Sequence, residues 1–460
     1  MIKWKSKRIV VVGLGISNIP LIKFLLRSGA IVYGRDRKSI AELGERYQTL
    51  GELGVECLLG EDYLNNLDEF DAVFLTPGIP KHLSEIQNLM GKVPVLSEIA
   101  LVLAYAKAPV YAITGSSGKT TITTLVGEML KASGINTFVG GNIGHPLITE
   151  VLDIPADACI LLELSSFQLE LLDQSPHGAL VTNISENHLD VHLRLENYIQ
   201  AKKQIYLHQS KNDFAIFNLD DPVTREMAAE VNGETYFFSM QQPVNQGTYL
   251  EDDTIVFCDR NQQREVVLAR SEVRLAGDHN VANMLAAVLL ARLAGASFDA
   301  IRSVGREFAG VAHRLEELGT YQGVDVYNDS KSTTPSSAIA ALKAFNQPIV
   351  LIAGGYDKHL SFVEFARLAN GKVRHMILLG QTAPQIQQTI IGQSLTNTKI
   401  HIVGDLPEAV DLAFQLAISG DVLLLSPACA SFDMYPNYEE RGEHFRRLVL
   451  QKAQASEKEM

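Results

Sequence analysis

The segment Thr114-Gly115-Ser116-Ser117-Gly118-Lys119-Thr120-Thr121 sets two glycines around a short hydroxyl-rich loop and follows them with a lysine and two threonines. A loop of this kind turns its backbone N–H groups toward a phosphate, and a helix starting at its end adds partial positive charge. Lys119 can then reach β- and γ-phosphates, and the hydroxyl of Thr120 or Thr121 can hold Mg²⁺. The longer G-x-x-x-x-G-K pattern would need glycine at 113, where Ile113 stands, but the shorter T-G-x-x-G-K-[ST]-[ST] form is intact. The bland alternative is a strand-to-helix turn that merely uses glycine. An apolar strand over 110–113 and an apolar-periodic helix from Ile122 favour the phosphate reading.

Further along, Glu163 ends an otherwise apolar strand expected over 159–164, a costly place for a carboxylate unless a metal or cation satisfies it. A second acid at a strand end commonly supports Mg²⁺ in a domain with a phosphate loop, although a surface glutamate at a strand tip is the plain alternative. His188 and His192 are four residues apart, yet the H-E-x-x-H zinc pattern is absent. Lys202 and Lys203 read, on composition, as a solvated helix face. Near the start, Gly13-Leu14-Gly15 follows a buried-strand run, with Asp36 at the end of the next strand, 31–33. This is a βαβ opening suited to a nucleotide, but Asn18 stands where a third glycine would complete the nicotinamide fingerprint. Thr76-Pro77-Gly78 is a turn at a strand's carboxyl end, where ligands of open α/β sheets sit.

These residues need sheets to carry them. Strands are expected at 8–14, 31–33, 72–75 and 93–96 in a first unit, and at 110–113, 159–164, 179–183 and 214–218 in a second. Short alternating runs over 234–273 suggest an antiparallel patch before a helix over 280–293. A third unit offers strands at 324–327, 349–353, 376–379, 400–403 and 422–425. Strands alternating with helices predict an α/β protein of mainly parallel sheets, divided into 1–97, 98–310 and 311–460. The first and last units read as Rossmann-like and the middle one as a P-loop ATPase-like domain. A formal charge of −13 argues against nucleic acid as the main partner. The four scattered cysteines form no C-x-x-C pair and suit reduced thiols in a cytoplasmic setting. No apolar run reaches membrane-spanning length, so no membrane insertion is expected.

Taken together, the ordered motifs resemble the Mur ligase superfamily, the ATP-dependent amide ligases of bacterial cell-wall precursor synthesis. The resemblance covers essentially the whole chain. Besides the segments above it uses Gly140-Gly141-Asn142-Ile143-Gly144, Asn187-His188-Leu189-Asp190, Ala201-Lys202, Gly277-Asp278-His279-Asn280 with Asn283, His313-Arg314, 328–333 and 426–431. It implies addition of D-glutamate to UDP-N-acetylmuramoyl-L-alanine through an acyl phosphate, with ATP and two Mg²⁺ ions. Lys119, Glu163, His188 and Lys202 would be catalytic, and Thr120, Glu163, His188 and Lys202 (as N-carboxylysine) would serve the metals. Gly115–Thr121, Asn280, Asn283, Arg314 and Asp329 would bind ATP. Ile16, Ser17, Asp36, Thr76, Gly78 and Asn142 would bind the UDP substrate, and Thr333, Lys358, Ser431 and Tyr438 would bind D-glutamate. Tyr438 departs from a phenylalanine expected there, and the Asp-Asn-Pro-Arg motif of diaminopimelate-adding relatives is absent. A monomer is expected. The competing readings are a sister cell-wall ligase, a folylpolyglutamate synthase, a nucleotide sensor and, on the Gly-Leu-Gly turn, an NAD-dependent oxidoreductase.

Overall fold

The computed structural model describes residues 4–15, 18–185, 189–192, 194–275, 277–357, 360–393 and 397–458. Its chain divides into two compact units, Met1–Phe308 and Ala309–Met460. The first unit carries two sheets. One consists of β1 (Arg8–Val12), β2 (Ile31–Asp36), β3 (Glu56–Leu59), β4 (Ala72–Leu75) and β5 (Val95–Leu96), all parallel, in the order β3-β2-β1-β4-β5. Val12 is in register with both Arg35 and Leu75, so the turns after β1, β2 and β4 meet at one edge. That edge lies where the strand order reverses, the place where open α/β sheets bind ligands.

The second sheet has nine strands: β6 (Val110–Thr114), β7 (Thr137–Gly141), β8 (Cys159–Glu163), β9 (Gly178–Val181), β10 (Phe214–Asn218), β11 (Glu234–Ser239), β12 (Gly247–Glu251), β13 (Thr254–Cys258) and β14 (Arg264–Ala269). Their order is β14-β13-β12-β11-β10-β9-β6-β8-β7. β6 and β8 are buried along their full length, as continuous apolar strands covered on both faces must be. The expected antiparallel patch over 234–273 is only partly so. β11 pairs parallel with β10 and β12 parallel with β11, and the antiparallel pairing is confined to β12–β13–β14. Periodicity reports which face of a strand is buried and not its direction, which explains the difference. One face of this sheet is covered by the helices Lys119–Ala132 and Asp278–Leu293. The other shares a single apolar cluster with the first sheet, running from Val11 and Phe74 through Leu101 and Ile148 to Leu162 and Phe217.

In the second unit, β15 (Glu316–Tyr321), β16 (Val324–Asn328), β17 (Ile349–Gly354), β18 (Val373–Leu379), β19 (Lys399–Ile402) and β20 (Val422–Leu425) run in the order β15-β16-β20-β17-β18-β19. All neighbours are parallel except the β15–β16 hairpin. The helix Pro335–Lys343 starts from a Thr334 capping box with proline in its first turn, which satisfies its leading N–H groups. The sequence reading missed β3, β7 and β15. Each is an edge strand (Glu-Cys-Leu-Leu, Thr-Phe-Val-Gly-Gly and Glu-Glu-Leu-Gly-Thr-Tyr) without the buried apolar run of a central one.

Candidate active site

The loop after β6 is held from three directions. Ser116 N donates to Asn183 O at 2.9 Å, Ser117 N to Asn183 Oδ1 at 3.0 Å, and Thr182 Oγ1 to Ser117 O at 2.6 Å. The Ser116 hydroxyl lies 3.1 Å from the phenol of Tyr198. Gly118, at φ +82°, starts the helix Lys119–Ala132 in a left-handed conformation, and a Cβ there would sit 2.3 Å from Asn283 Oδ1. A Cβ on Gly115 would meet Thr182 Oγ1 at 1.8 Å. Both glycines are therefore required by close approach as well as by backbone angle. The helix leaves its first N–H groups at the loop, an anion-binding arrangement. Lys119 Nζ folds back onto Gly115 O at 2.9 Å and Ser116 O at 3.3 Å, Thr120 is buried, and Thr121 is half-buried in the same turn. Asn283 donates to Asn280 at 3.2 Å, so this pair stands against the loop although some 160 residues separate them in sequence.

Glu163 ends β8 directly beside Ile113, the residue before the loop's first threonine. It is 1 % exposed. Its Oε1 accepts from Asn142 Nδ2 at 2.9 Å, while Oε2 is buried with no hydrogen-bond partner among the described residues. An ionised carboxylate oxygen left in that state is costly, and a hard cation bound through oxygen removes the cost. Glu163 and the buried Thr120 hydroxyl thus fit the chemistry of Mg²⁺, which keeps several waters and takes few protein ligands. Among the described residues no three His, Cys, Asp or Glu side chains cluster into a metal cage.

Lys202 lies in the helix Leu195–Lys203 and is 1 % exposed, so the solvated helix face read from composition is wrong for this lysine. Its Nζ donates to Gly115 O at 2.9 Å and Thr114 Oγ1 at 3.2 Å, and sits 4.6 Å from the centre of the Tyr198 ring. Burial, reinforced by the charge of Lys119, lowers its pKa to about 6. At neutral pH the amine is therefore largely unprotonated and nucleophilic.

A cavity of about 560 Å³ opens beside this cluster. Arg46, Glu98, Gly141, Gly144 and Gln168 are among its walls, and of these the sequence reading had singled out none as a ligand contact. Asp36 Oδ2 accepts from Leu14 N at 2.6 Å and Oδ1 from Lys38 N at 2.9 Å, which fixes the turn after β1. Thr76 N donates to Val12 O at 3.0 Å, placing Thr76 beside that turn, with Gly78 exposed two residues later. Asn142 stands against Glu163, to which its backbone N–H donates at 2.8 Å and its side-chain amide at 2.9 Å.

In the second unit, Arg314, Asp329, Lys331 and Ser332 line a separate pocket of about 390 Å³. Asp329 is 3 % exposed and has both oxygens engaged, Oδ1 by Leu315 N at 3.2 Å and Oδ2 by Ser426 Oγ at 2.7 Å. Burial pushes its pKa up to about 6 against those hydrogen bonds. Arg441 is buried, and among the described residues no carboxylate is in hydrogen-bond contact with it. It donates to Ser330 Oγ (3.0 Å), Ser330 O (2.8 Å), Ala430 O (3.2 Å) and Cys429 O (3.2 Å), fastening the loops after β16 and β20. Those loops carry Thr333 and the buried Ser431, and Ser330 Oγ also donates to Tyr438 O at 2.8 Å. An arginine within a helix gives no such signal in sequence. The expected ligands Ile16, Ser17, His188 and Lys358 lie outside the described residues.

Comparison with known proteins matches the same stretches. Family profiles fit residues 7–96 (Mur ligase MurD-like, N-terminal domain), 113–291 (Mur ligase middle domain) and 313–429 (Mur ligase, glutamate ligase domain). A UDP-N-acetylmuramoylalanine--D-glutamate ligase of Symbiobacterium thermophilum is 48% identical over 96% of this chain and 98% of its own. One of Clostridium botulinum is 42% identical over 97% of each chain. Among solved structures, the UDP-N-acetylmuramate-alanine ligase MurC of Thermotoga maritima superposes with a TM-score of 0.54 at 20% identity, over 98% of this chain and 100% of that one. The MurF ligase of Thermotoga maritima, in complex with ADP, gives 0.52 at 18% over 98% and 97%. The structural likeness speaks for a shared three-domain α/β fold. With a phosphate loop, a buried strand-end acid and a buried lysine set together in a chain matched along nearly its whole length, this protein belongs to the Mur ligase family.

Proposed function

We propose that this chain is the ATP-dependent ligase that joins D-glutamate to UDP-N-acetylmuramoyl-L-alanine in peptidoglycan precursor synthesis. The observation that carries the reading is the meeting, at the carboxyl ends of β6 and β8, of the phosphate loop with Glu163 and Lys202, in a chain of this family. Residues 1–97 would serve the UDP moiety through Asp36, Thr76 and Gly78, with Asn142 on the muramoyl side. Residues 98–310 would hold the ATP phosphates, assisted by Arg314 and Asp329, and 311–460 would hold D-glutamate through Thr333, Lys358, Ser431 and Tyr438.

The substrate carboxylate attacks the γ-phosphorus and ADP departs, leaving an acyl phosphate. The amine of D-glutamate then attacks the carbonyl carbon, and phosphate leaves as the amide forms. No protein nucleophile is required, so positioning and charge neutralisation dominate. Lys119 and the loop N–H groups face the transferring phosphoryl group once Lys119 releases the carbonyls it now holds. Mg²⁺, when bound, neutralises phosphate charge, with Thr120, Glu163, His188 and a carbamylated Lys202 as its holders. Lys202 reaches that state by attack of its neutral amine on CO₂ with loss of a proton, which replaces a buried amine by a carboxylate-like anion.

ADP release should require the UDP substrate, Mg²⁺ and D-glutamate together. Equal turnover with L-glutamate, or a preference for diaminopimelate, would sink the amino-acid assignment. Among the described residues no helix is long and apolar enough to cross a membrane. We read the enzyme as a cytoplasmic monomer, which light scattering on the purified chain would check.

A further inference from the structure

His192 closes the helix Leu189–His192 and is 4 % exposed. Its backbone carbonyl accepts from Arg194 N and Asn197 Nδ2, both at 2.8 Å. Its ring reaches four other residues, three within 166–170 and one in the helix Leu195–Lys203. Nε2 lies 2.9 Å from Ser166 Oγ, three residues beyond Glu163. Nδ1 lies 3.1 Å from Glu170 Oε1. Phe167 stacks on one face, with centroids 5.1 Å apart and planes 7° apart. Tyr198 meets the ring edge-on at 5.3 Å, and it is this tyrosine that contacts both Ser116 of the phosphate loop and the amine of Lys202.

From Glu170 the chain of contacts continues into the first sheet's side of the unit. Lys81 Nζ lies 3.6 Å from Glu170 Oε2 and donates to Phe167 O at 3.3 Å and to Pro77 O at 3.2 Å. Pro77 is the middle of the turn between Thr76 and Gly78. Lys81, Glu170, Phe167 and His192 also share the wall of a small cavity of about 180 Å³. Two polar neighbours, Ser166 and Glu170, are what a buried imidazole needs, so the satisfaction of the His192 ring assigns it no role by itself. What sets it apart is where two of its contacts lead: Tyr198 reaches on to Ser116 and Lys202, and Glu170 reaches on through Lys81 to the carbonyl of Pro77.

We propose that His192 is a positioning residue that couples the UDP-substrate turn at Thr76–Gly78, through Glu170 and Lys81, to the phosphate loop and Lys202 through Tyr198. It touches no reacting atom. The inference rests on the ligase reading above, and it extends that reading by giving a role to a residue outside the family motifs quoted.

The test measures binding of UDP-N-acetylmuramoyl-L-alanine alone by calorimetry, without ATP or Mg²⁺, beside steady-state kinetics. His192→Phe keeps the ring stack and deletes both nitrogens. It should weaken substrate binding about tenfold and lower kcat by a further factor of about ten, leaving the KM for ATP within about twofold. Lys81→Met should weaken substrate binding similarly, and the double variant should be no worse than the weaker single one. His192→Asn, whose side-chain amide stands near the Nδ1 position and can still engage Glu170, should recover most of the binding. Losses that add independently in the double variant would overturn the coupling. So would unchanged substrate binding in a His192→Phe protein that merely melts earlier. If His192→Phe does not fold, Glu170→Gln and its combination with Lys81→Met decide the same question. A wild-type protein that fails to bind the UDP substrate would defeat the ligase reading itself. Normal wild-type binding with indifferent variants would defeat only the role of His192.

Discussion

Two clusters at the carboxyl ends of parallel strands, one in each unit, treat buried charge in opposite ways. Around β6 and β8, among the described residues, Glu163 keeps one oxygen without a hydrogen-bond partner, and Lys202 has carbonyl, hydroxyl and aromatic neighbours in its nearest contacts, with no carboxylate there. Around β16 and β20, Asp329 has both oxygens hydrogen-bonded and Arg441 spreads its donors over four acceptors. The first cluster is electrostatically incomplete, so it gains by taking up a cation or by changing the charge on its lysine. The second is already complete, so it is suited to holding loops in one shape for recognition. Substitutions should therefore change reaction rate in the first and folding stability in the second, as a loss at Arg441 and a gain at neutral pH at Asp329.

The largest effect is expected from Lys202→Ala, where kcat should fall on the order of 10³-fold while the melting temperature stays within a few degrees. A short-chain carboxylate added to that variant should restore part of the rate. Near-normal turnover in a folded Lys202→Ala protein would remove the contrast between the clusters. Glu163→Gln comes next, with a loss of roughly 10²-fold at saturating Mg²⁺. Magnesium should also protect the wild type against heat more than it protects this variant, because the orphaned oxygen is the group a cation completes. Equal protection of both proteins would place the metal elsewhere.

In the second cluster, Arg441→Lys should destabilise its unit by about 3 kcal/mol, since one ammonium cannot reproduce a planar fork serving two loops. Denaturant melts would register this, and a change below about 1 kcal/mol would mean that the loops hold themselves. The smallest effect concerns Asp329 and depends on pH. Its carboxyl has an ordinary value of 3.8 and about 6 when folded, so between those values the folded chain holds a proton that the unfolded chain releases. Stability from this group is present below about pH 4 and is lost as pH rises through 6. Asp329→Asn should accordingly be more stable than wild type at pH 7, by about 2 kcal/mol, with the gap closing toward pH 4. A gap of constant size would show that the carboxylate is not disfavoured by burial.

The phosphate loop was fully legible in the residues, because Gly115 and Gly118 bracket a spacing that only a strand-loop-helix turn uses, and the central strands announced themselves as unbroken apolar runs. Glu163 was legible for the same reason, as a charge ending such a run. Lys202 was not. Its helix carries a second lysine, Lys203, whose ammonium pairs with Glu230, and only the packing of Leu195–Lys203 against the loop separates the two. The resemblance to a family supplied an expected role, and the fold adds the burial of Lys202 beside another cation. Arg46, Glu98 and Arg441 lay beyond sequence reasoning altogether, since each sits on an ordinary helix and gains meaning from a cavity or from loops distant in the chain.

By itself, then, the order of residues determined the local pieces: which segments are strands, where a phosphate can dock, and which acids stand at strand ends. These follow from short-range periodicity, backbone angles and side-chain chemistry. The tertiary structure alone decided which charges lose their water. Whether Lys202 is an ammonium or a nucleophile, and whether Asp329 gives up its proton, depends on solvent exclusion by segments far away in the chain, and burial of that kind has no local signature.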